Sequence, residues 1–150
     1  MNCAALIKFI KNKWDNDEEL VDLVGELHGV SRIASEFELP YARISVESDD
    51  YEYTGVAFLP FYSVLIAVYS VQATELHHTL GRLITKLFRP CDRECIPEEN
   101  PETYMRILHS MPVSHKLDKT DATLAGRDVL VSTFLFRLFV QEDCIPETVT

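Results

Sequence analysis

The segment spanning residues 61–71 constrains the fold of this chain more than any other. It is rich in Val, Ile, Tyr and Phe at odd and even positions alike, which is typical of a strand that is covered on both faces. We therefore predict the central strand of a sheet here. The longer apolar run that contains it starts at Val56, is broken by Pro60 and carries Tyr and Ser side chains. Because a membrane helix needs about 20 apolar residues, we expect no membrane span.

The next segment predicts a helix that packs on this sheet. Thr74 is a good N-cap residue, and the apolar residues after it recur at helical spacing. They are Leu76, Leu80, Leu83, Ile84, Leu87 and Phe88. We expect a long helix over residues 74–88 with its apolar side on the strands.

The amino-terminal part predicts two shorter helices. Its first apolar residues fall near one side of a 3.6-residue repeat, and three lysines lie mostly on the other side. Residues 15–17 are Asp, Asn and Asp, which end this helix and supply N-cap candidates for a second one over residues 18–24. Gly25 ends the second helix, and Gly29 marks a loop.

Two features follow in the middle of the chain. Residues 41–47 alternate apolar and polar side chains, which predicts a half-buried strand. Residues 48–55 are acidic and contain turn formers, so we expect an exposed hairpin tip or a long loop.

The carboxyl-terminal third predicts further strands. Residues 104–111 read as a strand that Pro112 closes, and residues 113–117 either extend that strand or pair anew. Residues 120–126 are rich in turn formers. Residues 127–140 form a long strand that is apolar on one side and mixed on the other.

This order of elements has no regular alternation of strand and helix. It predicts an α+β fold with a mainly antiparallel sheet of about four strands, flanked by helices and covered by the long helix over 74–88. A length of 150 residues fits a single domain covering residues 1–150.

The net charge and the cysteine content limit which cellular compartment and which partners we expect. The formal net charge is -10, whereas affinity for phosphate backbones comes from clustered Lys and Arg, so we expect no role in wrapping duplex DNA. Four scattered cysteines are too few for a disulfide-stapled secreted domain, and we expect reduced thiols. The first residues lack the basic segment of a secretory signal, so we expect a cytoplasmic start.

The sequence contains no motif that indicates catalysis. It has no G-x-S-x-G segment, no phosphate-binding glycine loop and no dinucleotide fingerprint, and only 5 glycines. Cys91 and Cys95 resemble half of a metal site without a second pair nearby. His77 and His78 point about 100° apart on a helix, so they do not easily bind one ion. We predict no catalytic residue, no metal and no cofactor.

The two longest predicted strands carry more apolar surface than three helices cover easily. Residues 61–71 and 127–140 have apolar side chains on both faces. The second face of the sheet is buried either by copies of the same chain or by the amino-terminal helices.

The layout resembles that of the tail terminator or tail-completion proteins of long-tailed bacteriophages and related prophages. The matching features are an amino-terminal helix, residues 17–25 (DEELVDLVG), residues 39–44 (LPYARI), the strand 61–71, the helix 74–88, the region 107–117 and residues 126–129 (GRDV). The resemblance covers nearly the whole chain. The proline-bounded loop of residues 91–101 lies outside it.

This resemblance implies a homohexameric ring that caps the tail tube, ends its polymerisation and joins it to the head-side connector, with no catalysis and no cofactor. The implied partners are the chain itself, the tail tube protein and the connector protein, while DNA passes through the lumen without specific binding. The implied location is the tail or neck of the virion, after assembly in the host cytoplasm. Six copies at -10 each give a formal charge of -60, which suits a lumen that does not retain DNA.

The acidic loop of the middle region supplies the candidate site residues. They are Glu47, Asp49, Asp50, Tyr51 and Glu52, and we expect them at the ring lumen or at a subunit interface. The alternative for this loop is a solvated hairpin tip. For the whole chain, the alternatives are another phage neck or connector subunit and a small metal- or ligand-binding α+β enzyme.

Overall fold

The structure is a computed structural model that describes residues 3–29, 38–48, 52–53, 58–59, 61–71, 73–89, 94–95 and 103–144. In chain order the elements are α1 (Cys3–Asp15), α2 (Glu18–Leu23), β1 (Leu27–Gly29), β2 (Tyr41–Ser48), β3 (Glu52–Tyr53), β4 (Phe58–Leu59), β5 (Phe61–Ser70), α3 (Ala73–Leu87), β6 (Glu94–Cys95), β7 (Thr103–Leu124) and β8 (Arg127–Cys144). The α+β fold and the order of helices and long strands are as predicted.

In the described part of the chain the main sheet has six strands in the order β1-β2-β5-β8-β7-β6, and β3 pairs with β4 in a separate two-stranded sheet. Strand β1 is parallel to β2, and the other neighbours in the main sheet are antiparallel. The sheet is therefore mainly antiparallel, as predicted, with more than the expected four strands. Strands β1 and β6 have three and two residues, which is too short for a period-two pattern to reveal them.

Local sequence features explain where the amino-terminal helices form and end. Helix α1 buries one side through Ala5, Leu6, Phe9, Ile10 and Trp14. Asp17 caps α2, since its carboxylate accepts a hydrogen bond of 3.2 Å from the backbone N–H of Leu20. After α2 the chain turns at Gly25, whose φ is 98°, a conformation that glycine adopts without a Cβ clash.

Both long helices pack on one face of the sheet, which we call the core face. Helix α1 contacts β1 and β2, and α3 contacts β5, β7 and β8. Their buried side chains share one core with alternate strand residues. The strand members of that core are Leu27, Ala42, Ile44, Tyr62, Val64, Ile66, Val68, Ile107, Phe134, Phe136, Leu138 and Val140.

The carboxyl-terminal strands form one long hairpin, which corrects the prediction that Pro112 closes a strand. Strand β7 runs through Pro112, with a register shift between Pro112 and Ser114. Proline is tolerated there because β7 lies near the edge of the sheet, where a missing N–H breaks no ladder. The turn is confined to Ala125 and Gly126, with φ angles of 54° and 79°, as in the tight turns that favour β-hairpins.

None of the helices in the described ranges has the length and the apolar character needed to cross a bilayer.

Candidate assembly interface

The face of the sheet opposite the core face, which we call the outer face, is built from the remaining alternate residues of three adjacent strands. Their positions follow from the pairing of β2 with β5 and of β5 with β8. They are Tyr41, Arg43, Ser45, Glu47, Phe61, Ser63, Leu65, Ala67, Tyr69, Val131, Thr133, Leu135, Arg137 and Phe139. Most are only half-buried, and the centre of the face is apolar.

No helix of the described residues covers the outer face. Of the two alternatives for this face, burial by the amino-terminal helices does not apply to the described residues, because α1 packs on β1 and β2 from the core side, where its residues join those of α3 in one core. An apolar face on a central three-strand segment that no described helix covers exceeds what a monomer needs. The outer face is therefore a candidate site for contacts with other chains.

Aromatic side chains lie at both ends of the outer face. At one end, the rings of Phe61 and Phe139 stack with centroids 5.1 Å apart, and the Arg137 guanidinium lies 4.7 Å from the centre of the Phe61 ring. At the other end, Tyr41 and Tyr69 stack at 4.8 Å. Burial, with a smaller effect of Tyr69, raises the pKa of the Tyr41 hydroxyl. Stacked rings with a cation on top are common in the hot spots of protein interfaces.

The tip of the long hairpin borders the tyrosine end of this face. A register shift between Lys119 and Thr123 bends β7, and the Thr120 hydroxyl donates a hydrogen bond of 2.6 Å to the backbone oxygen of Val129. The bend leaves a groove of about 520 Å³ between Tyr69 and Leu124. The groove is mostly apolar, so it widens the surface that is available for another chain.

Strand β7 adds a second apolar feature. Among the described residues, six large hydrophobic side chains are exposed, and five of them lie on β7 while the sixth, Val21, lies on α2. Those on β7 are Leu108, Met111, Val113, Leu117 and Leu124. Strand β6 pairs only with Tyr104 and Met105, so in the described part of the chain the rest of β7 forms an open sheet edge.

Comparisons with known proteins bear on the fold of the chain. No family model matches the chain, and no curated protein matches it. A search of solved structures finds a chain from the virion of a native gene transfer agent particle, with a TM-score of 0.61 and 12% identity, covering 87% of this chain and 90% of that chain. The two chains share a fold. An identity of 12% carries the fold and no individual residue.

Only part of the predicted acidic site lies in the described residues. Glu47 is exposed on the outer face, across from Ser63 of β5. Glu52 starts β3 and pairs with Leu59, while Asp49, Asp50 and Tyr51 lie outside the described residues. Their place at a lumen or an interface stays a prediction. The long edge of β7 has no clear signal in the sequence, because a proline such as Pro112 is typical of a strand end.

The predicted histidine geometry is seen on α3. The His77 ring nitrogen Nδ1 lies 3.0 Å from the hydroxyl oxygen of buried Ser132, whereas His78 is exposed. His115 of β7 packs its ring edge-on against Phe134 at 5.1 Å, and burial, followed by the charge of His77, lowers the pKa of His115. Within the described ranges no three His, Cys, Asp or Glu side chains converge as metal ligands. Cys91 lies outside those ranges.

Proposed function

We propose that this chain is a structural virion protein of the tail terminator kind, which acts without catalysis, metal or cofactor. In this proposal it assembles as a homohexameric ring in the host cytoplasm. The ring caps the tail tube, ends its polymerisation and joins it to the head-side connector in the tail or neck of the virion.

The observation that carries the proposal is the shared fold with a chain of a virion particle, over 87% of this chain and 90% of that chain. Nearly complete coverage in both directions means that the two chains share one whole architecture rather than a common substructure. The resemblance of the sequence to tail terminators supplies the finer role within a virion.

The outer face, which no helix of the described residues covers, supports the assembly part of the proposal. A subunit of a ring buries one surface against each neighbour, and a heterologous contact that repeats with a fixed rotation closes the ring. The half-buried apolar centre around Leu65 and Leu135, which lie opposite each other on β5 and β8, suits such a contact. The stacked Phe61 and Phe139 rings add an aromatic anchor at its end.

The charge of the chain supports the DNA-passing part. Six copies at -10 each carry a formal charge of -60, so a lumen lined by acidic side chains repels the phosphate backbone and lets DNA slide. In this proposal Glu47, Asp49, Asp50, Tyr51 and Glu52 line the lumen or a neighbouring subunit. Glu47 is the member whose exposed side chain is described.

The test combines mass and function. Light scattering behind a sizing column should detect a species near six times 17.2 kDa, about 103 kDa, and electron microscopy should show rings with a central opening. Added to growing tail tubes of the same virus, the protein should cap their ends and shorten them. A chain that stays monomeric when mixed with tubes and leaves their length unchanged contradicts the proposal.

A second candidate within the same class is another neck or connector subunit. Such a subunit would also assemble through this fold into a ring. It would differ from a tail terminator in the number of subunits and in the partner that it binds. Rings that bind the connector and leave tube growth unchanged favour this candidate. An enzyme is the remaining alternative, and a stoichiometric metal in the purified protein would favour it.

A further inference from the structure

The open edge of β7 contains one stretch of regular strand that is accessible to another chain. Between Ser114 and Lys119 the register with β8 advances without a break, from Leu135 to Leu130, and register shifts bound this stretch on both sides. Lys116 to Lys119 are exposed, and His115 is exposed apart from the part of its ring that packs on Phe134. A flat, exposed edge offers unpaired backbone N–H and C=O groups and readily pairs with another strand.

The side chains of this stretch are complementary to themselves. If two copies pair antiparallel about Leu117, each Leu117 faces the other, and Lys116 of one copy faces Asp118 of its partner on the same face of the joined sheet. Because the arrangement is two-fold, this charge pair forms twice. Cross-strand pairs of opposite charge stabilise a sheet, and directly opposed like charges destabilise it. Other registers lose this match: centring the pair on Lys116 or Asp118 places two identical charges opposite each other.

We propose that two copies of the free protein pair through their β7 edges, antiparallel and centred on Leu117, and so join two six-stranded sheets into one. The occupant of the edge is a second copy, because an antiparallel copy of this stretch places opposite charges across from each other. The contact is isologous, since the same residues contribute from both copies.

This pairing goes beyond the proposed ring and does not depend on it. In a ring that caps a tube all subunits point the same way, whereas the β7 pairing relates two copies by a two-fold axis. It therefore belongs to the free protein, where it covers an edge that would otherwise invite aggregation. The two contacts use different surfaces, since the ring contact is proposed for the outer face.

Charge reversal tests the register. At concentrations too low for rings to form, light scattering should show the free protein as a species of two copies, about 34 kDa as twice 17.2 kDa, which dissociates on further dilution. Lys116→Asp places two carboxylates opposite each other at both charge pairs, and Asp118→Lys places two ammonium groups opposite each other there. Each single variant should weaken the dimer roughly ten- to hundredfold. The double variant Lys116→Asp/Asp118→Lys restores both attractive pairs and should return the dimer to nearly its original affinity.

The matched control is Asp15→Lys at the exposed end of α1, which changes the net charge by the same amount as Asp118→Lys. A positive charge is favourable at a helix carboxyl end, so the control should fold and keep the dimer. If the control weakens the dimer as much as Asp118→Lys does, the effect does not come from the β7 edge and the proposed register is wrong. Failure of the double variant to restore the dimer also overturns it.

Cross-linking gives an independent readout. In the proposed register the Cβ atoms at position 117 lie about 5 Å apart across the two-fold axis, whereas those at position 113 lie about 26 Å apart along the strands. Leu117→Cys should form an additional covalent dimer on oxidation, and Val113→Cys should not, although both keep the same four native cysteines. Equal cross-linking of the two variants, or none at position 117, overturns the pairing while leaving the proposed ring untouched.

Discussion

The indole nitrogen of Trp14 donates a hydrogen bond of 2.7 Å to the backbone oxygen of Gly25. This bond joins the end of α1 to the turn that leads from α2 into β1. Trp14 is fully buried and Gly25 is half-buried, so loss of the bond leaves the Gly25 oxygen partly shielded from water. The pair therefore sets where the amino-terminal helices sit relative to the sheet.

Replacing Trp14 by Phe should lower the free energy of unfolding by about 2–4 kcal/mol, because the Gly25 oxygen loses its donor and the smaller ring leaves space in the core. Trp14 is the only tryptophan, so urea unfolding must be followed by circular dichroism rather than by fluorescence. Val21→Ala, at an exposed position of α2, is the control and should change stability little. Equal losses in both variants would contradict the role of the Trp14 bond.

Gly81→Ala should stabilise the protein by about 0.5–1 kcal/mol, since alanine is the better helix former. Gly81 lies inside α3, and an added Cβ would meet the Phe134 ring at 3.4 Å and the His115 ring at 3.5 Å, which is ordinary van der Waals contact. The larger Gly81→Val should destabilise, since its methyl groups would press on the same rings. Thermal unfolding of the two variants measures the difference, and a destabilised alanine variant would show that this contact is too tight.

His115 should make stability depend on pH. Burial, with a contribution from His77, lowers the pKa of His115 in the folded protein, so the unfolded chain binds a proton more readily. Stability from the neutral ring is complete above the unfolded pKa of about 6.5 and is lost as pH falls through it towards the folded pKa. His115→Gln should reduce the loss of stability between neutral and mildly acidic pH. The measurement compares the slope of the unfolding free energy against pH in His115→Gln with the slope in His78→Gln. Identical slopes would contradict the prediction.

Leu65→Lys should block assembly through the outer face without unfolding the subunit. Leu65 is half-buried beside Leu135. In a free subunit a lysine at this position can extend its charge towards solvent. In a dry interface the charge would be buried without a partner, which is costly. Circular dichroism should stay unchanged while the ring species is lost from light scattering. The matched control is Val21→Lys, which adds the same charge at an exposed position of α2. This variant should still form the ring. Rings from the Leu65 variant would exclude this face as the ring contact.

Much of the fold was readable from the sequence because its signals are local. The apolar repeat of α3, the cap at Asp17 and the turn at Gly25 act within a few residues, so composition and spacing reveal them. The central strand β5 was equally clear, since apolar residues at odd and even positions report two covered faces. Its odd residues proved half-buried rather than fully covered, and no helix of the described residues lies over the outer face.

The tertiary structure alone decided how the strands and surfaces are arranged. Proline at position 112 signals a break in any single sequence, and only its place at a sheet edge shows that β7 continues through it. The three-residue β1 is a strand solely because β2 lies beside it. His77, His115 and Ser132 are far apart in the chain and meet around Phe134. The sequence determined which segments are helix and strand, because local chemistry sets both. Neighbours across the sheet decided which edge and which face no described element covers, because those contacts join residues that are far apart in the sequence.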